Sequence, residues 1–237
     1  MYSHLGLAYI PPEMREMHGE LDLAASDHIP KLIDPKDIKG DMQMHSTWSD
    51  GQMDIRELAD FVQRAYGYQY IVLTDHSKSS RIAGGMDEKG FEKQSREIDQ
   101  VNSKLGQPFV RKGVEVDILP DGSLDLSDTC LAKMEWVCAS IHSGFTHDNT
   151  QRLIQACRNP YVNCIGHPSG RLIGKREAYG VDWDQLFKVA AQTGTAIEIN
   201  AQPDRMDLTD ALARQALQAG VRLVISTDSH AAAHYDF

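Results

Sequence analysis

The sequence predicts an α/β fold, a distorted seven-stranded (β/α)7 barrel of the TIM type. Short apolar segments alternate with longer amphipathic segments from residue 38 onward, over about 190 residues. This alternation of strands and helices indicates a parallel sheet. The strand-like segments number seven, which favours closure into a barrel. Histidines and carboxylates also recur where these segments end, and the C-terminal ends of barrel strands are where active sites lie.

The seven predicted strands and five predicted helices follow from the two hydrophobic periods. The strands are residues 38–44, 70–73, 109–118, 136–141, 162–165, 195–199 and 222–226, and the helices are residues 54–66, 89–104, 148–158, 182–193 and 209–219. The first of these helices places Ile55, Leu58 and Val62 on one apolar face. Glycines at 67 and 220 fall just past helix ends, where a left-handed residue is favoured.

The first 37 residues differ from the remainder. They are rich in proline and charge and have no sustained period, so we predict an N-terminal arm with one short helix near residues 20–25. Residues 38–237 form the predicted barrel domain. No internal repeat or low-complexity tract interrupts either part.

Composition narrows the class of protein. A chain of 237 residues with 41% hydrophobic content can bury a substantial core. No run approaches the ~20 apolar residues that cross a bilayer, and the N-terminus lacks a signal-peptide pattern, so we expect no membrane partner. Four cysteines without C-x-x-C spacing favour a reducing, cytoplasmic location. The net charge of −10 argues against broad adhesion to nucleic acid, but bound cations would offset it locally.

Candidate ligands follow nearly every predicted strand. In chain order they are Gln43, His45, Asp50, His76, Glu115, His142, His167, Asp228 and His230. Any one of these histidines alone is more often structural than a ligand, and an aspartate at a strand end can simply cap a helix. Five of the ten histidines nevertheless fall at strand ends. Imidazole and carboxylate without thiolate suit Zn, Mn or Fe.

So many ligands exceed the needs of one ion, so we predict two or three divalent metal ions, with Glu115 as the bridging carboxylate. Such a site is the standard arrangement for hydrolysis of phosphate esters. We assign catalytic roles to Glu115, Asp228 and His230. The chain lacks the Walker A, dinucleotide-binding and serine-hydrolase motifs, which disfavours those three chemistries.

Cations near the strand ends are candidate substrate contacts. Arg171 and Lys175 lie beyond His167, and Arg205 lies beyond the strand at 195–199. A guanidinium can bind a phosphate with two hydrogen bonds, so we favour Arg171 and Arg205, whereas Lys175 could equally be a solvated loop charge. Trp48 and Tyr179 could stack on a base or could equally be packing residues.

Six short motifs together resemble the polymerase and histidinol phosphatase (PHP) superfamily. They are H-S-T-W-S-D-G, L-T-D-H-S, G-V-E-V-D, S-I-H, G-H-P and S-T-D-S-H, and they run from about residue 38 to 230. The resemblance implies a trinuclear site and phosphoesterase activity. It assigns His45, Glu115 and Asp228 to one metal, Glu115, His142 and His167 to a second, and Asp50, His76 and His230 to a third. Gln43 stands where the family usually has a histidine.

A closer similarity is to the C-terminal PHP domain of bacterial family X DNA polymerases. The segments L-G-L-A-Y-I-P-P-E-M-R-E-M-H-G-E-L, G-R-L-I-G-K-R-E-A-Y-G-V-D-W and E-I-N-A-Q-P-D-R-M-D-L carry it. The resemblance implies that residues 1–37 are the end of a polymerase domain and that a final helix is missing after His230. It also implies 3′-5′ exonuclease activity on DNA 3′ ends in DNA repair, activated by manganese.

Two other functions compete with the exonuclease. The same metal site would serve a phosphatase acting on a small phosphomonoester of the histidinol phosphate type. The barrel could instead be an inert scaffold attached to a polymerase, a hypothesis that Gln43 invites because it replaces one imidazole. The amide oxygen of Gln43 can still coordinate a hard ion such as Mn²⁺.

Overall fold

The chain divides into two compact units, Met1–Ile38 and Lys39 onward, in a computed structural model that describes residues 1–235. The last two residues of the predicted domain 38–237 therefore lie outside the described residues. The first unit contains one α-helix, α1, at Glu20–Ala25. The Glu20 carboxylate accepts hydrogen bonds from the backbone N–H groups of Met17 and His18 just before that helix. The interpretation of the arm as the end of a polymerase domain remains a prediction.

Seven parallel strands in sequential order form the second unit, which confirms the predicted fold class. The strands are β1 Gly40–Met44, β2 Tyr70–Leu73, β3 Val110–Asp117, β4 Trp136–Ser140, β5 Cys164–Ile165, β6 Ala196–Asn200 and β7 Leu223–Ser226. Strands β1 and β5 begin two residues later than predicted. None of the described helices is long and apolar enough to cross a membrane.

Helices cover the outside of the barrel. They are α2 Ile55–Tyr66, α3 Glu88–Leu105, α4 Asp128–Leu131, α5 Thr150–Arg158, α6 Trp183–Thr193 and α7 Asp210–Gln218. The four-residue α4 is too short to show a period and was not predicted. Side-chain caps start the longer helices: Asp54 and Glu57 form a capping box at α2, and Asp87, Asp182 and Thr209 cap α3, α6 and α7.

The barrel closes between β1 and β7 through few backbone contacts. Among the described residues, the two strands share an isolated bridge between Met44 and Ser229 beyond the end of β7, rather than a continuous ladder. The buried Asp41 carboxylate accepts hydrogen bonds from the backbone N–H of Thr227 at 3.2 Å and from its hydroxyl at 2.6 Å. A side chain thus replaces part of the missing ladder.

The strands separate an apolar shell from a polar interior. Residues such as Val114, Val116 and Ile197 point outward into the main apolar core beneath the helices. Inside the barrel, a small buried cluster contains Cys138, Cys164 and Ala196. Polar side chains lie above it, toward the C-terminal ends of the strands.

Gly166 is needed at this level of the barrel. A Cβ there would lie 2.5 Å from Ser140 Oγ and 2.7 Å from Cys138 Sγ, distances that real contacts do not show.

Candidate metal centre

The predicted ligands that are histidine, aspartate or glutamate converge at the C-terminal end of the barrel. Their donor atoms form three overlapping groups, each within 4.8 Å: His45, Asp50, His76 and His230; His76, Glu115 and His142; and His45, Glu115 and Asp228. The first and third groups match two of the predicted ligand sets, with His45 added to the first. In the second, His76 appears where the resemblance assigned His167.

Glu115 lies at the centre of this arrangement. Its Oε1 is 2.8 Å from His167 Nε2 and 3.4 Å from His142 Nε2. Its Oε2 is 3.2 Å from His76 Nδ1 and 3.6 Å from His45 Nε2. Each carboxylate oxygen therefore faces two imidazoles. The bridging of two metal ions by Glu115 remains a prediction.

The remaining groups extend from buried to solvent-accessible positions. The His45 ring stacks against both His76 and His230, with centroid distances of 4.6 and 4.1 Å. His45 Nε2 is 3.0 Å from Asp228 Oδ1, and His230 Nε2 is 3.3 Å from Asp50 Oδ1. The His45 side chain is fully buried, whereas Asp50 is 34% exposed and His230 25% exposed. Asp50 and His230 thus line the open side of the cluster.

Unpaired buried atoms show that these residues fit divalent metal ions. Among the described residues, His45 Nδ1, His76 Nδ1, His167 Nδ1 and Glu115 Oε2 are buried without a well-formed hydrogen bond. A native structure rarely leaves so many polar atoms unsatisfied in one place. Cations bound among them would satisfy several at once, and the donor set suits Zn, Mn or Fe.

The electrostatics of the cluster favour bound cations. Burial opposes protonation of His45, but its hydrogen bond to Asp228 and the charges of Asp228 and Glu115 outweigh burial and raise its pKa to about 9. Burial would raise the pKa of Glu115, but His76 and His142 hold it well below its usual range. The Glu115 carboxylate therefore stays charged and attracts positive charge.

Two candidate ligands also have strained backbones. His167 has φ of 26° and Asp228 has φ of 51°, in the left-handed region that side chains other than glycine seldom adopt. Such strain persists where the surrounding structure fixes it, and it concentrates at functional sites.

Asp117 orients His142 but was not predicted from the sequence. The imidazole Nδ1 of His142 lies 2.5 Å from Asp117 Oδ1 and donates to it, which leaves Nε2, 3.4 Å from Glu115 Oε1, as the nitrogen that would bind a metal. Ser80 Oγ donates a further hydrogen bond to Asp117. The alternation V-E-V-D could have indicated this role, because it places Glu115 and Asp117 on one face of β3.

The hydrogen bonds of Asp75 organise the loop that carries Asp50, and Asp75 is in none of the three groups of candidate ligands. Its carboxylate accepts hydrogen bonds from the backbone N–H and hydroxyl of Ser46, from Ser49 Oγ at 2.6 Å and from Gln94 Nε2 at 2.5 Å. Sequence reasoning placed Asp75 at a strand end but did not find these partners, because Gln94 lies in a distant helix.

Gln43 lies inside the barrel, but its amide oxygen is already engaged. Cys138 Sγ donates to Gln43 Oε1 at 2.9 Å, and Nε2 is the buried atom without a partner. In this orientation the amide presents a donor, not a ligand oxygen, to any further group. Coordination through Oε1 would require the amide to turn over, which would give the thiol an N–H neighbour instead. Metal ligation by Gln43 therefore remains a prediction.

A cavity of about 610 Å³ opens onto the cluster. Its lining includes candidate ligands from every group described above, together with Arg205 and residues 79–83 and 117–119. Arg205 Nε lies 3.5 Å from Asp228 Oδ2, and the buried Nη1 has no partner among the described residues. Arg205 thus has an unused N–H donor at Nη1, while Nε is paired with Asp228.

The other predicted substrate contacts are not in this lining. Arg171 donates to the backbone carbonyls of Arg205 and Met206, and Lys175 Nζ lies 3.5 Å from Asp204 in an exposed pair. Trp48 donates from Nε1 to Glu97, and Tyr179 is buried in the apolar core. Arg171 therefore holds the loop that carries Arg205, and neither aromatic ring lines the cavity.

Comparison with known proteins agrees with this arrangement. No family model matches the chain. It is 47% identical over 232 residues to the DNA polymerase/3′-5′ exonuclease PolX of Bacillus subtilis, covering 97% of this chain but 40% of that protein. It is 30% identical over 177 residues to a protein of Thermoanaerobacter sp. strain X514 whose name describes it as a probable phosphatase, covering 69% of this chain and 67% of that protein.

The fold has solved counterparts. The structure of histidinol phosphate phosphatase from Lactococcus lactis, complexed with zinc, L-histidinol and phosphate, aligns with a TM-score of 0.59 at 17% identity. It covers 81% of this chain and 86% of that one. These likenesses define the class, an α/β barrel related to phosphatases. The chain belongs to the PHP superfamily and is similar to the PHP domain of family X DNA polymerases.

Proposed function

We propose that this chain is a metal-dependent phosphodiesterase that removes nucleotides from DNA 3′ ends. The observation that carries the proposal is Glu115, whose two oxygens each face two imidazoles at the floor of a cavity that also contains Arg205. The similarity to PolX over nearly the whole chain supports DNA as the substrate. The chain spans 40% of that relative, so we also propose an upstream polymerase domain in the full-length protein.

Two or three divalent ions, Mn or Zn with Fe as an alternative, would be held by the histidines and carboxylates of the cluster. When bound, such ions activate water and stabilise the charge of a phosphoryl group in transfer. In the net reaction, water adds to phosphorus as the ester P–O bond breaks, and the leaving oxygen takes a proton.

The residues of the chain prepare the site for this reaction. Glu115 fixes the spacing of the ligands that surround it. The His230 ring donates from Nδ1 to the Asp228 carbonyl at 2.8 Å, which leaves Nε2, 3.3 Å from Asp50 Oδ1, as the nitrogen that would bind a metal. Asn200 Nδ2 donates to Asp228 Oδ2 at 3.0 Å and thereby holds the carboxylate in place. Arg205 binds the phosphate of the substrate with its free guanidinium nitrogen.

A phosphomonoesterase is the second candidate, favoured by the relative described as a probable phosphatase. One experiment separates the two. Purified chain loaded with Mn²⁺ is incubated with 3′-labelled single-stranded DNA and with a panel of phosphomonoesters that includes histidinol phosphate. We expect mononucleotides from the DNA and little phosphate from the panel. Turnover of the panel without release of mononucleotides would instead identify a phosphatase.

An inert scaffold makes a different prediction. After soaking in Mn²⁺, an active chain should retain at least two equivalents of transition metal by elemental analysis, because a lost ligand generally weakens a site rather than abolishing it. A scaffold would retain less than about one equivalent.

A further inference from the structure

A loop beside the metal centre supplies one wall of the cavity, and its Ser80 hydroxyl donates a hydrogen bond to Asp117. The loop runs from Ser77 to Met86, and its tip, Arg81–Ala83, is a single 3-10 turn that lines the cavity. The wall continues into Ile118 and Leu119 at the end of β3. The cavity therefore has a polar floor of candidate ligands and a side wall that is largely apolar.

The loop is internally bonded and fixed in place. Ser77 and Met86 form a bridge at its base, and Gly85 N donates to the Ser80 carbonyl at 3.0 Å. A Cβ on Gly85 would lie 1.9 Å from the Ser77 carbonyl oxygen, so the base of the loop closes too tightly for any other residue. Ser79 N donates to Asp125 Oδ2 at 2.7 Å. A surface that is already ordered loses little entropy on binding.

The opposite part of the wall is fixed as well. The buried Arg152 donates from Nε to the Leu119 carbonyl at 3.0 Å and from Nη2 to the Ile118 carbonyl. The guanidinium spans two consecutive carbonyls and so holds the end of β3 at the rim of the cavity.

The tip of the loop carries two exposed side chains, Arg81 and Ile82. Ile82 is fully exposed, with a relative accessibility of 106%. The neighbouring Arg81 is exposed, and its guanidinium has no hydrogen bond or ion pair within residues 1–235. An exposed isoleucine on a rigid turn at a cavity rim can contact an apolar ligand surface, and a free guanidinium beside it can bind a second anion.

The two groups together suit a nucleic-acid strand. A phosphomonoester has one anionic group, which the metal centre and Arg205 would bind, and Arg81 would then have no partner. A strand carries a phosphate at each step and a flat apolar base beside it. Only a ligand with both features can contact Arg81 and Ile82 at the same time.

We propose that Arg81 and Ile82 form a subsite for the end of a polynucleotide, an inference that rests on the exonuclease function proposed above. Ile82 packs with Leu119 against the terminal base, and Arg81 pairs with the phosphate that precedes the one to be cleaved. The subsite selects a strand of at least two phosphates over a small phosphate ester.

The test compares a deoxydinucleotide with a deoxytrinucleotide, neither carrying a terminal phosphate, with the Mn²⁺-loaded chain. The dinucleotide has only the scissile phosphate, whereas the trinucleotide also has the phosphate assigned to Arg81. The wild type should show kcat/KM about tenfold higher on the trinucleotide, the low end for a hydrogen bond to a charged group. In Arg81→Gln the ratio of the two values should fall to near one.

Two further measurements separate the roles of the pair. Arg81→Gln should reduce by about 0.7 the slope of log affinity against log salt for the trinucleotide, as expected for one lost phosphate contact on a single strand. Ile82→Ala should keep that slope and lower the preference for a terminal base over an abasic terminus about fivefold, because apolar contact is lost. Arg64→Gln on α2 and Leu217→Ala on α7, exposed positions outside the cavity lining, serve as matched controls and should behave as the wild type.

The outcomes distinguish the two proposals. If the wild type cleaves neither oligonucleotide but hydrolyses phosphomonoesters, the exonuclease function is refuted and the subsite with it. If the wild type cleaves both and Arg81→Gln keeps the trinucleotide preference, the subsite is refuted while the exonuclease function stands.

Discussion

The two faces of strand β3 are built for different purposes. Val114 and Val116 point outward and are fully buried in the apolar core beneath the helices. Glu115 and Asp117 alternate with them and point inward, where they contact histidines from other strand ends. Adjacent residues of one strand thus contribute either apolar packing or carboxylate groups. Apolar burial on the outer face stabilises the fold. This stability offsets the cost of holding charged groups close together on the inner face.

Replacing the central carboxylate should have the largest effect on activity. Glu115→Gln keeps the shape of the side chain but removes the charge that serves the surrounding imidazoles. We expect kcat/KM to fall by at least about 10²–10³-fold, the scale of losing one preorganised electrostatic group. Activity assays and metal analysis on the same preparation check this result. Activity within tenfold of the wild type would show that Glu115 does not bridge.

The neighbouring outward residue should show the opposite behaviour. Val116→Ala removes buried methyl groups from the core and should lower the free energy of unfolding by about 1.5–3 kcal/mol. Activity per folded molecule should remain within about twofold of the wild type. Chemical denaturation measures the stability of Val116→Ala, and the exonuclease assay compares its activity with that of Glu115→Gln. A loss of activity like that of Glu115→Gln would mean that the two faces are not independent.

Asp117 tests whether the inner face needs its supporting hydrogen bonds. Asp117→Asn can present an N–H toward His142 and so weakens control of the imidazole tautomer. We expect a loss of about 10–100-fold in metal affinity or activity, the range for partners of metal-ligating histidines. Metal titration by calorimetry measures it, with the exposed loop residue Asp121→Asn as the control. Equal affinity in both variants would leave Asp117 with a packing role only.

Replacing Gln43 should give the smallest effect. It tests whether the side chain at position 43 belongs to the polar inner face that surrounds the metal site. Gln43→His restores an imidazole and removes the amide oxygen that Cys138 now contacts. We expect affinity to rise about tenfold at one ion and to stay unchanged at the others. Stepwise metal titration followed by calorimetry separates the sites. No change at any site would show that the side chain at position 43 does not reach the metals.

The strand ends could be predicted from the sequence because their pattern is local. Apolar segments ending in histidine or carboxylate identified the positions of His45, Glu115 and Asp228 without any knowledge of their partners. The similarity to PolX and the seven sequential strands confirm the predicted family and fold.

The supporting contacts depend on residues far apart in the chain and could not be found in the same way. Asp75 binds Gln94, and Asp117 binds His142, across 19 and 25 residues of sequence. Arg171 was selected for its nearness to His167 in sequence, whereas its guanidinium donates to carbonyls of another loop, and its contact with substrate remains a prediction. Exposure of Ile82 depends on the fold and is not visible in its residue type.

Metal ions bound at the junction between β1 and β7 would have a second role. His45 follows β1 and Asp228 follows β7, and their side chains meet at 3.0 Å across the part of the barrel with the fewest backbone hydrogen bonds. An ion held by both would act as a clasp between the first and last strands. Loading the site would then slow amide exchange at this junction more than elsewhere in the barrel, because opening the barrel there would first require the ion to leave.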